Sequence, residues 1–197
     1  MKYVKIVESL QVYANELGNV FYLSDLKNIL AQKNKAQFYE IIRNLEKLQI
    51  LKRFTQSVYY VNEPDLKILS QKINPCSYIS FETVLSENFA IGTCSKFKLQ
   101  AVKLGRKRIY SDDKYQIIQL GSSKDMFFGF TCLDGVNVAD KEKALIDTLY
   151  YYQKGTKYYF DIYSDIDFSL FDKGKIFLYL KKYKNNKFTS FVKGLLA

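Results

Sequence analysis

The apolar positions of the first sixty residues change period several times, and each change marks an element. Tyr3, Val7, Leu10, Ala14 and Leu17 recur at three- and four-residue intervals, one stripe of an amphipathic helix over residues 3–17. Gly18 follows, a residue free to take the left-handed conformation that closes a helix. VFYL (20–23) is a short strand. Ser24 then stands as the N-cap of a second helix, with Asp25 in the first turn, where the helix dipole favours an anion, and Leu26, Ile29 and Leu30 as its buried side. KNK (33–35) breaks the period, and Asn34 can cap a third helix. On that helix Phe38, Ile41, Ile42, Leu45 and Leu48 share one face, while Ala36, Glu40, Arg43 and Lys47 occupy the other, flanked by Tyr39 and Asn44. The pattern then turns β-rich. ILKRF (50–54) and VYYV (58–61) are separated only by Thr55, Gln56 and Ser57, which predicts a hairpin.

Helix, short strand, helix, turn, helix and hairpin is the order of a winged helix-turn-helix over residues 1–62, with the third helix as the groove-entering element. The same order also serves protein docking, and periodicity alone leaves both readings open. Residues 63–75 carry Pro64 near the start of a connecting helix and Pro75 at its end. A mixed α/β domain is expected over residues 76–197. Ser80 is the predicted N-cap of a helix running through Glu87. KFKLQAVKL (96–104) and YQIIQL (115–120) read as strands, and MFFGFTCL (126–133) as a buried strand interrupted by Gly129. Asp140 is the predicted N-cap of a helix with Ala144, Leu145, Thr148, Leu149 and Tyr152 at helical spacing. Two helices end the chain, marked by Ile176, Phe177 and Leu180 and by Phe188, Phe191, Val192, Leu195 and Leu196. The fold class is therefore α+β.

Charge sharpens the choice for the first half. The 197-residue chain carries a formal net charge of +10, which favours polyanionic partners. Between residues 33 and 53, Lys33, Lys35, Arg43, Lys47, Lys52 and Arg53 face only Glu40 and Glu46. That excess equals the whole net charge of residues 1–74, and it sits on the third helix and the wing. Gln37, Tyr39, Glu40 and Arg43 lie in the half of a recognition helix that meets base edges. Lys35, Lys47, Lys52 and Arg53 lie on the flanks and wing, where phosphates are met. Arg106, Lys107 and Arg108 form either a solvated basic loop between strands or a second phosphate-contacting site.

The chemistry that is missing narrows the function further. Histidine is absent, which removes the commonest general base near neutral pH and the commonest metal ligand. Cys76, Cys94 and Cys132 are not spaced as a metal pair and are an odd number, so reduced, buried thiols of a cytoplasmic protein are expected. No phosphate loop and no dinucleotide fingerprint is present. Asp140, Glu142 and Asp147 are read as a cap, an exposed first-turn acid and a helix-packing acid. No catalytic residue, metal or cofactor is assigned, and a metal-dependent nucleic-acid-processing enzyme stays as the lesser alternative. No apolar run reaches the length of a membrane span, and no secretory signal opens the chain.

LSDLKNIL, FYEIIRNLEKLQILKR and YYV together resemble the N-terminal winged helix of the AbiEi family, the antitoxins and autoregulators of AbiE (type IV) toxin–antitoxin systems. YISFETVLSENFAIG is similar to the segment that begins that family's C-terminal domain. MFFGF followed by VADKEKALIDTLYY resembles its hallmark strand and A-x-x-E-K-A-L-x-D helix. The resemblance implies a repressor that binds double-stranded operator repeats upstream of its own operon. It also implies that the protein counters a nucleotidyltransferase-like toxin, generally without a stable complex. The DNA role implied by the family falls on Lys35, Gln37, Tyr39, Arg43, Lys47, Arg53 and Gln56. Glu142, Lys143 and Asp147 match the hallmark and are assigned a structural role.

Overall fold

The computed structural model describes residues 2–196, and side chains from residue 4 onward, so the Tyr3 position of the first stripe lies outside the described side chains. The fold is mixed α and β, with two separate sheets. The chain divides into two compact units, residues 1–75 with 110–115, and residues 76–109 with 116–197.

The first unit runs α1 (Lys2–Ala14), β1 (Val20–Tyr22), α2 (Leu23–Leu30), α3 (Lys35–Lys47), β2 (Lys52–Arg53), β3 (Val58–Tyr60) and α4 (Leu66–Ile73). Its three strands lie in the order β1-β3-β2, all antiparallel, with Val20 and Lys52 both opposite Tyr60. Leu10, Ala14, Phe21, Leu26, Phe38, Ile42, Leu45 and Tyr59 pack into one buried core. The predicted stripes of three helices thus converge on the sheet.

Local chemistry sets the element ends, and several differ from the sequence reading. α1 stops at Ala14, whose carbonyl accepts the Asn19 amide at 2.7 Å. Gly18 follows at φ +59°, the left-handed region that favours glycine, with the Ile68 side chain packed close against it. α2 begins two residues earlier than a Ser24 cap would place it. Tyr22 holds the cap position, and its amide donates to Asp25 Oδ2 at 2.8 Å, so the aspartate reaching back replaces the serine. Asn34 caps α3 as predicted, accepting from the amides of Ala36 and Gln37 at 2.9 and 3.3 Å. Leu48 is not on the buried face: the helix ends at Lys47, and Leu48 is 58% exposed. The expected hairpin forms, closed by the Phe54 amide on the Val58 carbonyl at 3.0 Å. Asp65 caps α4, with Pro64 just before it at the start of the helix. Lys72 then ties α4 back, donating to the Val20 carbonyl at 2.9 Å and pairing with Asp25 at 3.2 Å.

The second unit contains β4 (Ser77–Ile79), α5 (Phe81–Glu87), β5 (Lys98–Leu104), the first half of β6 (Arg108–Ser111), β7 (Gln116–Ser122), β8 (Phe130–Leu133), β9 (Val136–Ala139), α6 (Lys141–Gln153), α7 (Lys173–Leu180) and α8 (Asn186–Leu195). The strands are ordered β6-β7-β5-β4-β9-β8. β5 runs parallel to β7, and β4 antiparallel to β5. α6 packs against α5, α7 and α8 and is buried along most of its length.

Three expectations fail here, and a fourth holds in position only. MFFGFTCL is interrupted at Gly129, at φ +73°, as expected, but it is not a buried strand: only Phe130–Leu133 pairs, on the sheet edge, with Thr131, Cys132 and Leu133 exposed. Arg106–Arg108 is not wholly a loop, because Arg108 opens β6. Cys76 and Cys132 are exposed and Cys94 is half-buried, since all three fall on connecting segments or an edge strand instead of a packed face; all are free thiols. Ser80 occupies the N-cap of α5, but its hydroxyl donates to Asp147 instead of capping. Among the described residues no helix is long and apolar enough to cross a membrane.

Candidate nucleic-acid interface

α3 is amphipathic, with Phe38, Ile41, Ile42 and Leu45 buried, so its outward side is fixed by its inward one. Lys35, Gln37, Glu40, Arg43 and Lys47 are exposed on that side, and Tyr39 is half-buried with its ring edge-on to Phe38. Lys35 and Lys47 stand at the two ends of the helix, about 18 Å apart along its axis. The hairpin adds Arg53 and Gln56, both exposed, and Lys52, half-buried. The structure therefore brings all nine predicted positions onto α3 and the adjoining hairpin.

The charges on this face are not all free. Arg43 Nε donates to the Tyr39 carbonyl one turn back, at 3.3 Å. Arg53 forms a two-pronged pair with Glu46, Nε to Oε1 at 3.0 Å and Nη2 to Oε2 at 3.3 Å, and its guanidinium lies 5.3 Å from the Tyr59 ring centre. This fork ties β2 to the last turn of α3 and occupies one edge of the Arg53 guanidinium. Burial raises the Tyr59 phenol above its ordinary range, partly offset by the Arg53 charge, so the ring stays neutral beneath the guanidinium.

Sequence reasoning missed an acidic neighbour. Asp112 and Asp113 line a groove with Glu46, Lys52 and Arg53. Asp112 accepts the Tyr60 hydroxyl at 2.7 Å, and burial with that carboxylate pushes the phenol well up. Lys114 pairs with Glu63 at 3.0 Å. Nothing local in the Asp-Asp dipeptide signals this placement, which brings in a segment far along the chain from the hairpin.

α6 of the second unit forms a different kind of site. Lys143 is wholly buried, with Nζ 2.5 Å from Asp147 Oδ1 and 3.0 Å from the Tyr183 hydroxyl. Asp147 Oδ2 accepts from the Tyr78 hydroxyl at 3.0 Å and from Ser80 Oγ at 2.9 Å. The ammonium also faces the rings of Phe128, Tyr78 and Tyr183, at 4.7, 5.7 and 5.7 Å from their centres. Gly129 permits this approach, since a Cβ there would sit 3.0 Å from the Lys143 side chain. Burial raises the Asp147 carboxyl, against the opposing pull of Lys143, Ser80 and Tyr78. Glu142 is not an exposed acid: it is 2% exposed, pairs with Lys175 at 3.0 Å and accepts the Asp172 amide at 3.3 Å. The lysine of α7 supplies the partner that lets this acid lie inside. The three acids thus each have a cationic or capping partner, and among the described residues no cluster of three or more metal-ligating side chains forms.

Asp140 caps α6 as expected, accepting the Lys143 amide at 2.8 Å, and it also accepts the Tyr179 hydroxyl at 2.6 Å. Asp140→Ala should cost about 0.5–2 kcal/mol, the range for a lost cap, and the second bond places the effect in the upper half. Urea unfolding followed by circular dichroism measures it; an unchanged midpoint would show that the cap contributes nothing.

Arg106 and Lys107 occupy the turn between β5 and β6, and Arg108 begins β6; all three are exposed. Lys103 Nζ braces this turn, donating to the carbonyls of Leu104 and Arg106 at 2.9 and 3.2 Å.

No protein-family model and no curated protein matches the chain. Among solved structures, the chain is similar to the crystal structure of the RV2827C protein from Mycobacterium tuberculosis. The TM-score is 0.56 at 10% sequence identity, covering 95% of this chain and 74% of that one. At that identity the likeness is one of fold.

Proposed function

We propose that the first unit is a winged helix-turn-helix that binds double-stranded DNA, and that the protein is a transcriptional repressor and antitoxin of the type IV class. The observation that carries the DNA reading is the concentration of exposed Lys35, Gln37, Arg43 and Lys47 on one side of α3, beside a β2–β3 hairpin bearing Lys52 and Arg53. A helix held by its apolar face against two others and presenting cations outward is suited to lie in a major groove. The hairpin beside it is placed to meet the backbone. The antitoxin role rests on the AbiEi-like motifs, above all the strand, glycine and helix built around Lys143. In this reading the protein binds repeats upstream of its own operon and counters a nucleotidyltransferase-like toxin without a stable complex.

A second reading, a winged-helix adaptor that docks on protein, is favoured by one observation. Arg53 is already neutralised by Glu46, with Asp112 and Asp113 close by, so the wing side is less positive than its sequence. Two experiments separate the readings. Fluorescence anisotropy with duplex from upstream of the gene should show binding that a scrambled duplex does not match. Co-expression with the adjacent gene should restore growth where that gene alone arrests it. Equal affinity for both duplexes, or none for either, would favour the adaptor; growth arrest unaffected by co-expression would remove the antitoxin role.

A further inference from the structure

The second unit has a groove that the DNA reading does not use. In the parallel register, Gln100 stands opposite Ile118 and Val102 opposite Leu120. Gln100, Ile118 and Leu120 form the floor of a groove of about 620 Å³. One rim is the turn after β5, with Arg106 and Lys107. The other is the end of α6 and the turn beyond it, with Lys154 and Lys157, and Lys98 completes the lining. Five cations and no carboxylate line it.

Both rims are clamped to β7. The Gly105 amide donates to the Ser122 carbonyl at 3.0 Å, and the Tyr151 hydroxyl to the Gly121 carbonyl at 2.7 Å. At Gly121 a Cβ would lie 2.0 Å from the Gly105 carbonyl, so only glycine lets the basic turn close this tightly. The cations are thus presented by a fixed frame.

Local causes account for two of them. Lys154 sits at the C-terminal end of α6, where the helix dipole favours a cation, and lies 4.3 Å from the Tyr150 ring centre. Lys98 stands 3.7 Å from buried Glu82. Arg106, Lys107 and Lys157 form no ion pair among the described residues. Converging like charges repel, and an arrangement that holds them together without a carboxylate is stabilised by a bound anion. The floor adds a second observation. Gln100 is 2% exposed, and its amide oxygen has no hydrogen-bond partner among the described residues. A buried acceptor left unpaired costs free energy, which a donor on a ligand would recover.

We propose that this groove binds a small polyphosphorylated ligand, with phosphates on Arg106, Lys107 and Lys157 and a hydroxyl or amino group donating to Gln100. The volume is that of a small-molecule site and not of a duplex track. The proposal concerns the second unit alone and stands or falls independently of DNA binding by α3.

The test is isothermal titration calorimetry on the full chain, with magnesium-free ATP and with inorganic pyrophosphate as probes. ATP should bind saturably at one site, and pyrophosphate more weakly because it brings no donor for Gln100. Lys107→Glu/Lys157→Glu should weaken both by about tenfold or more, as expected for lost charge-assisted contacts. Gln100→Leu should weaken ATP alone, and Lys193→Glu on α8 should change neither. If the double variant unfolds, Arg106→Gln carries the same expectation. No saturable binding of either probe would overturn the proposal, as would undiminished binding in a folded groove variant. Saturation by duplex DNA alone, lost in the groove variants, would overturn it too and make the groove a backbone contact.

Discussion

Lys143→Met should destabilise the second unit by about 3–5 kcal/mol, the cost of breaking a buried ion pair from one side. The residue is fully buried, and its ammonium meets Asp147 and the Tyr183 hydroxyl inside a ring of aromatic side chains. Methionine matches the length of the stem and keeps most of its packing, so the loss isolates the charge. It leaves Asp147 buried with only the hydroxyls of Tyr78 and Ser80. Adding Asp147→Asn should recover part of the loss, because the uncompensated carboxylate is then gone. Hydrogen exchange of the α6 amides reads the effect locally, which suits a chain of two units that need not unfold together. If exchange in the single variant matches that of the parent, the carboxyl takes up a proton without penalty and the pair is not a keystone of this unit.

Leu45→Ala is the largest expected loss in the first unit, about 2–5 kcal/mol. Leu45 is 0% exposed in a core that joins Leu10 of α1, Leu26 of α2, Phe38 of α3 and Tyr59 of β3. Its carbonyl also accepts the amides of Ile50 and Leu51, at 3.0 and 3.2 Å, which start the path to the hairpin. Truncation opens a cavity where three helices and the sheet meet, and the backbone path to β2 limits how far the site can collapse. Thermal unfolding by circular dichroism is the measurement, since the chain has no tryptophan. A neutral result would mean that α3 is held by some other face.

The first unit was legible because its signals are local. Asn34 sits four residues before an unbroken 3.6-residue stripe that starts at Phe38, and Thr55, Gln56 and Ser57 separate two β-rich runs, so α3 and the hairpin can be placed without tertiary information. The Ser24 cap failed because Asp25, three residues after Tyr22, competes for the same turn and is held there by Lys72 from α4. The failures of the second unit come from long-range pairing. The interruption at Gly129 was legible, but the apolar run from Met126 to Leu133 reads alike as a buried strand and as an edge strand, because the difference lies in what covers it. Glu142 read as exposed because acids in a first helical turn face solvent by default, and its partner Lys175 lies on a different helix. On the candidate interface, composition found the cations but not their neutralisation. The Glu46–Arg53 fork requires the hairpin to fold back onto α3, and Asp112 comes from a distant segment.

Whether α3 reads DNA decides the proposed function, and a salt series of affinities measures it. Operator-side and scrambled duplexes are titrated with the parent protein, Arg43→Ala and Lys47→Ala, both exposed positions on the outward side of α3. Arg43→Ala should cost about 1–3 kcal/mol on DNA from upstream of the gene and narrow the gap to the scrambled duplex, as the loss of a base contact does. Lys47→Ala should weaken both duplexes alike and lower the slope of log affinity against log salt by about one, as the loss of a phosphate contact does. Parent-like affinity and slope in both variants would contradict DNA reading by α3, and its outward face would then belong to a protein partner.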